Sequence, residues 1–204
     1  KRRGAKLITI EALEPAIGAI SNIVNLSEHH FGVKPDAYAA AILGFLKAVL
    51  DEQAVDPEFR TKATGYIQDI TAQLKTISWS VLEGVTGVTA SAYKEAMKSF
   101  AKAQKVVILV GPGVLRTSGG FGMMVNLLDL LLLTGKLSTR GCGLAPLAEE
   151  NNDQGTFEMG GVGDVLPGGK SSRDEEARKA LSQAWGRPVP DSAGRADAVR
   201  WAHP

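Results

Sequence analysis

The chain has 204 residues, 44% hydrophobic and 22% charged, with a net charge of +1, which suits one sizeable α/β domain or two small ones. The near-neutral balance gives no global field for nucleic acid or an anionic membrane. The single cysteine, Cys142, excludes an internal disulfide framework and an all-cysteine metal site within the chain. The longest apolar run, around Leu130–Leu133, is too short and interrupted to span a bilayer. Lys1-Arg2-Arg3 leads into a strand-like segment rather than a signal peptide, and the absence of an initial methionine points to a piece of a longer protein.

In chain order, Gly4 and the basic residues before it read as the capped tail of a preceding helix. Lys6–Ile10 (KLITI) reads as a buried strand ending in Glu11. An acidic residue there either accepts hydrogen bonds from a ribose or purine edge or is a solvated strand end. Residues 23–26 are a second strand candidate. His29-His30, on an extended segment, point to opposite sides and lack a third ligand, so they read as structural or surface groups. Lys34-Pro35-Asp36 opens a long helix over residues 36–52, with Ala40, Leu43, Phe45, Leu46 and Leu50 supplying an apolar stripe.

Asp56-Pro57 starts another helix, with proline at its first position. Thr64-Gly65-Tyr66 is expected to break it before a helical pattern resumes over 66–76. Residues 80–86 form a short helix stopped by Gly87. Thr89 caps a helix over 90–103, whose inward stripe is Tyr93, Ala96, Met97 and Phe100.

The stretch Val106–Val114 (VVILVGPGV) organises the chain. Its apolar, mostly β-branched run fits a strand buried on both faces of a parallel sheet. Gly111 and Gly113 let the backbone turn sharply and approach a ligand closely. A plain strand-to-helix turn is the competing reading. An apolar helix over 122–134 follows and stops at Gly135, and Gly141-Cys142-Gly143 makes a flexible loop. The cluster Glu149-Glu150-Asn151-Asn152-Asp153-Gln154-Gly155 reads as turns or as a lining for a polar ligand. Residues 160–169 are irregular, and 174–185 form a helix on which Ala177, Leu181 and Trp185 share a face. Proline, glycine and charge dominate from Gly186 onward. Alternating strands and helices argue for an α/β fold with parallel strands.

An ordered set of short motifs spans nearly the whole chain: Arg3-Gly4-Ala5-Lys6-Leu7-Ile8, Asp56-Pro57-Glu58-Phe59, Thr86-Gly87-Val88, Gly111-Pro112-Gly113-Val114, Leu133-Thr134-Gly135, Asn151-Asn152-Asp153-Gln154-Gly155, Glu158-Met159-Gly160, Leu166-Pro167-Gly168 and Ala184-Trp185-Gly186. In this order they resemble the molybdopterin oxidoreductase family, in particular the formate dehydrogenase catalytic subunit. They are also similar to the large iron–sulfur subunit of NADH:quinone oxidoreductase.

The resemblance implies a Rossmann-like three-layer αβα domain with a mostly parallel sheet over residues 1–169. A loop-rich C-terminal extension, with a short helix and an irregular tail, would follow over 170–204. It also implies binding of one molybdopterin guanine dinucleotide carrying molybdenum or tungsten. Glu11 would stand near the guanosine, and Gly111, Pro112 and Gly113 against the dinucleotide with Arg116 just beyond. Glu150, Asn151 and Asn152 would face the pterin. The metal ligand and the 4Fe-4S cysteines would lie upstream, so no catalytic residue is expected here, and Cys142 is a structural loop cysteine. The implied partners are the other domains of the parent subunit and electron-transfer subunits, with no nucleic acid or membrane insertion, in the cytoplasm.

Three departures bear on the cofactor. Glu11-Ala12-Leu13 replaces the family's Asp-Pro-Arg, Pro35-Asp36-Ala37-Tyr38 replaces Pro-Gly-Thr-Asp, and Glu150 stands for a glutamine. Losing a charged hydrogen-bonding partner costs about 1.5–3 kcal/mol. The same fold without its cofactor, as in complex I-type subunits, is the alternative.

Overall fold

The computed structural model describes residues 4–12, 26–117, 119–148, 151–161 and 164–189. The chain divides into two compact units, Lys1–Leu147 and Ala148–Pro204, so the expected division after residue 169 falls inside the second unit. The fold is α/β and of the three-layer kind, with small sheets.

In the first unit, β1 (Ile8–Glu11) pairs in parallel with β2 (His29–Gly32), and β3 (Val107–Val110) pairs in parallel with β4 (Gly143–Pro146). The strand after β1 is therefore the histidine segment; of the expected strand over 23–26, residues 23–25 lie outside the described residues. The β4 segment was expected to be loop. Its glycine, alanine and terminal proline carry little intrinsic strand preference, and pairing with β3 overrides that.

Long helix α1 (Tyr38–Asp51) buries Ala41, Ile42, Phe45, Leu46, Ala48 and Val49 at the centre of the core, each large aliphatic or aromatic group contributing about 1.5–3 kcal/mol. Helix α2 (Pro57–Lys62) begins as expected: Asp56 accepts the Phe59 N–H at 2.8 Å. The break before α3 (Thr64–Lys75) comes at Ala63, so Gly65 lies within the helix. Ser78 and Thr89 accept N–H groups of Val81 and Ala92 to cap α4 (Trp79–Thr86) and α5 (Ala90–Lys102), each cap contributing about 1 kcal/mol. Short α6 (Pro112–Leu115) and apolar α7 (Gly120–Leu133) follow β3.

Alternate strand residues divide between two faces. Ile8, Ile10, Ile108, Val110 and Leu144 pack against the core that α1 and α7 build. The opposite face differs from expectation. Val107 and Leu109 are 61% and 64% exposed, so among the described residues β3 is covered on one face only.

In the second unit, Asn152 adopts a left-handed conformation (φ 64°) ahead of α8 (Asp153–Glu158). Strand β5 (Val165–Leu166), in the stretch 160–169 read as irregular, forms a small antiparallel ladder with β6 (Lys170–Ser171) just after it. Helix α9 (Glu175–Trp185) is capped by Asp174, whose carboxylate accepts the Ala177 N–H, and ends at left-handed Gly186.

Candidate functional site: a cleft between two strand pairs

The first unit contains a cleft of about 480 Å³. Its walls are β1 and β3, and its floor is apolar: Ile42 and Phe45 from α1, and Met123, Leu127 and Leu130 from α7. Its two ends differ chemically.

At one end Glu28 accepts hydrogen bonds from Lys6 Nζ at 2.7 Å and Ser99 Oγ at 3.0 Å. The Lys6 bond, reinforced by the Ser99 bond, holds the Glu28 carboxyl below the usual carboxylate range. Lys105 completes this end.

At the other end the Ala12 N–H, just past β1, donates to the Tyr38 hydroxyl at 2.9 Å. The next residue on α1, Ala39, lies 3.4 Å from where a Cβ on Gly119 would sit, just before α7. The residue after β1 is thus tied to the first residue of α1, and Glu11 at the end of β1 and Gly111 just past the end of β3 line the same cleft, as ligand-binding residues do at the carboxyl ends of parallel α/β strands. Tyr38 and Val114 also line it.

Of the residues singled out from the sequence, Glu11 and Gly111 thus meet at one cleft. Pro112, Gly113 and Arg116, on or just after α6, are not among the lining residues, although Val114 between them is, and Gly113 and Arg116 are exposed. Asn151 and Asn152 are exposed in the second unit, and Glu150 lies outside the described residues. The glycine turn works differently from expectation. Gly111 has φ −70° and ψ 149°, ordinary for a residue before proline, and Gly113 is not among the positive-φ residues. What these glycines leave is space: a Cβ on either would meet nothing within 4 Å.

Tyr38 went unrecognised as a cleft residue. Its only signal was its place at the start of the long helix, where the resembled family carries an aspartate. Cys142 accepts the Val106 N–H at 3.2 Å at the foot of β3, in keeping with a structural role. His30 Nδ1 lies 2.8 Å from Thr9 Oγ1 across the β1–β2 pair. Among the described residues no group of three His, Cys, Asp or Glu side chains is placed to hold a metal ion, and no helix is long and apolar enough to cross a membrane.

No family model matches the chain, but individual proteins do. It is 26% identical over 186 residues to the assimilatory nitrate reductase catalytic subunit of Bacillus subtilis, covering 91% of this chain and 25% of that protein. It is 27% identical over 186 residues to formate dehydrogenase H of Escherichia coli, with the same coverage of 91% and 25%. Its homologues are molybdopterin oxidoreductases. The F420-dependent formate dehydrogenase subunit alpha of Methanocaldococcus jannaschii, 25% identical over 185 residues, covers 91% of the chain and 26% of its own length. The chain thus spans about a quarter of the length of these curated relatives. Acetylene hydratase from Pelobacter acetylenicus shares the fold, with a TM-score of 0.59 and 17% identity over 69% of this chain and 18% of that one.

Proposed function

We propose that the chain is part of a longer, formate dehydrogenase-like molybdopterin oxidoreductase and holds the guanosine end of one molybdopterin guanine dinucleotide. One observation carries this reading: Glu11 and Gly111 line one cleft, at the carboxyl ends of β1 and β3, each of which belongs to its own parallel pair. A carboxylate at a strand end accepts hydrogen bonds from ribose hydroxyls or a purine edge, and backbone without a Cβ admits close approach. The open space beside Gly111 and Gly113 fits such a ligand. The bound group would supply two-electron redox chemistry at molybdenum or tungsten; this chain's residues would bind and orient it. Asn151, Asn152 and Glu150 belong, in this reading, to the pterin-facing loop. Iron–sulfur clusters are held elsewhere in a cytoplasmic parent, whose partners are its own further domains and electron-transfer subunits.

A second reading rests on Tyr38. Its ring lines the cleft where the family carries a guanine-facing carboxylate, and its hydroxyl is engaged by the Ala12 N–H. This favours a cofactor-free scaffold domain, as in the large iron–sulfur subunit of an NADH:quinone oxidoreductase-type complex. The full-length protein, expressed in a host that makes the cofactor, separates the two. The first reading expects bound molybdenum or tungsten and a guanine nucleotide released on denaturation, both lowered by Gly111→Val. A protein free of both metals and of guanine nucleotide leaves the scaffold.

A further inference from the structure

A tyrosine yields an electron readily only when its phenol proton leaves at the same time, because the phenol becomes a strong acid once the ring is oxidised. Where that proton can go separates the three tyrosines of the chain. The Tyr38 hydroxyl accepts the Ala12 N–H at 2.9 Å, a group that cannot take a proton. Tyr93 is fully buried, and its hydroxyl has no hydrogen-bond partner among the described residues.

Tyr66, on α3, differs on both counts. It is 39% exposed, and its hydroxyl donates to Asp129 Oδ1, on α7, at 2.5 Å, the length of a charge-assisted O–H···O bond to a carboxylate. Burial and this bond raise the phenol pKa above its ordinary value, so near neutrality the proton stays on Tyr66 until the ring is oxidised. Phe59 stands edge-on to the ring at 6.1 Å. Among the described residues no ammonium or guanidinium lies over the Tyr66 ring.

The other oxidisable side chains are less well placed. Trp79 also donates to a carboxylate, Asp51, at 2.8 Å, but Lys47 and Lys94 Nζ stand 5.8 and 5.6 Å from its ring centre. Two ammonium groups over an indole oppose the positive charge that oxidation places on it. The Arg187 guanidinium acts likewise on Trp185 at 5.9 Å, and Trp201 lies outside the described residues. Met159, 74% exposed, reacts by oxygen transfer to sulfur, a two-electron change.

We propose that Tyr66 is a redox-active tyrosine, the residue of this chain that yields an electron to a dissolved one-electron oxidant of the high-potential metal-complex class. One electron passes from the ring to the oxidant, the phenol O–H bond breaks, and the proton moves along the existing hydrogen bond to Asp129. The products are a neutral phenoxyl radical, a protonated Asp129 carboxyl and the oxidant reduced by one electron. A base held this close to the proton it takes contributes about 10²–10⁴-fold in rate. The pair involves neither the dinucleotide nor the cleft, so either proposal can fail without the other.

The test uses the full-length protein, oxidised by photogenerated tris(bipyridine)ruthenium(III) beside a nitroso spin trap, with adducts mapped by peptide mass spectrometry. Within residues 1–204 the adduct should fall chiefly on Tyr66, at a yield that stays level between about pH 6 and pH 9. In Asp129→Asn an amide oxygen still accepts the hydroxyl but cannot take its proton. The Tyr66 adduct in that variant should drop about tenfold at pH 6 and climb toward the native yield as hydroxide takes over the proton. Adducts concentrated on another residue of the chain overturn the inference. So does an Asp129→Asn protein whose yield matches the native one, or whose deficit is the same at every pH.

Discussion

A Cβ on Gly44, in the middle of α1, would lie 2.8 Å from the Tyr93 ring. The ring cannot yield easily. Tyr93 is fully buried, stacked on Phe31 at 5.4 Å and edge-on to Phe45 at 5.2 Å, with Trp79 at 5.8 Å. Gly44→Ala gains about 0.5–1 kcal/mol of helix preference but overpacks this cluster at a cost of about 1–3 kcal/mol. Net destabilisation is expected, read as a lowered urea midpoint with an unchanged slope. A raised midpoint would mean that the aromatic cluster adapts freely.

Asp51 ties α1 to α4 and α5. Its carboxylate accepts the Trp79 Nε1–H at 2.8 Å and pairs with Lys94 Nζ at 3.1 Å. Burial raises its pKa, but the bonds from Trp79 and Lys94 outweigh this and leave it below the ordinary aspartate value. A carboxyl whose folded pKa is depressed contributes stability above its unfolded pKa, near 4, and loses it as pH falls through the folded value. The gap in Tm between the native chain and Asp51→Asn should therefore be full near neutrality and shrink below about pH 4. A gap independent of pH over that range would show that charge at Asp51 plays no part.

Leu109 stands open on the outer face of β3. Its side chain is 64% exposed, so Leu109→Glu should change stability by no more than about 0.5 kcal/mol while raising solubility. A urea midpoint close to that of the native chain is expected; a large fall would show that Leu109 packs against a neighbour.

Gly111 and Gly113 have backbone angles and surroundings that admit a larger residue. Gly111→Val and Gly113→Val should leave thermal stability nearly unchanged while reducing guanine nucleotide retained by the full-length protein. Unchanged retention would make the turn structural only, and a large fall in Tm would reveal packing against them that the open space does not suggest.

Local chemistry made much of this architecture readable in advance. Asp56, Ser78, Thr89 and Asp174 satisfy N–H groups of their own first helical turns, and Gly87, Gly135 and Gly186 take the positive φ that stops a helix. Such interactions join residues a few positions apart, so spacing reveals them. Strand β4 was not readable, because Gly143–Pro146 becomes a strand only by pairing with Val107–Val110, more than thirty positions earlier. Helix α8 was hidden for a related reason: its amide-rich sequence suits turns equally well.

The candidate site divides along the same line. Composition and motif order singled out Glu11 and the Gly111–Gly113 turn, since an acid at a strand end and glycines after a β-branched run are local features. Tertiary structure alone brought Glu11 and Gly111 to one cleft, drew in Tyr38 through the Ala12 N–H, and left Val107 and Leu109 uncovered. An apolar alternation specifies that a strand has faces to bury; which layers cover them depends on neighbours far away in the chain.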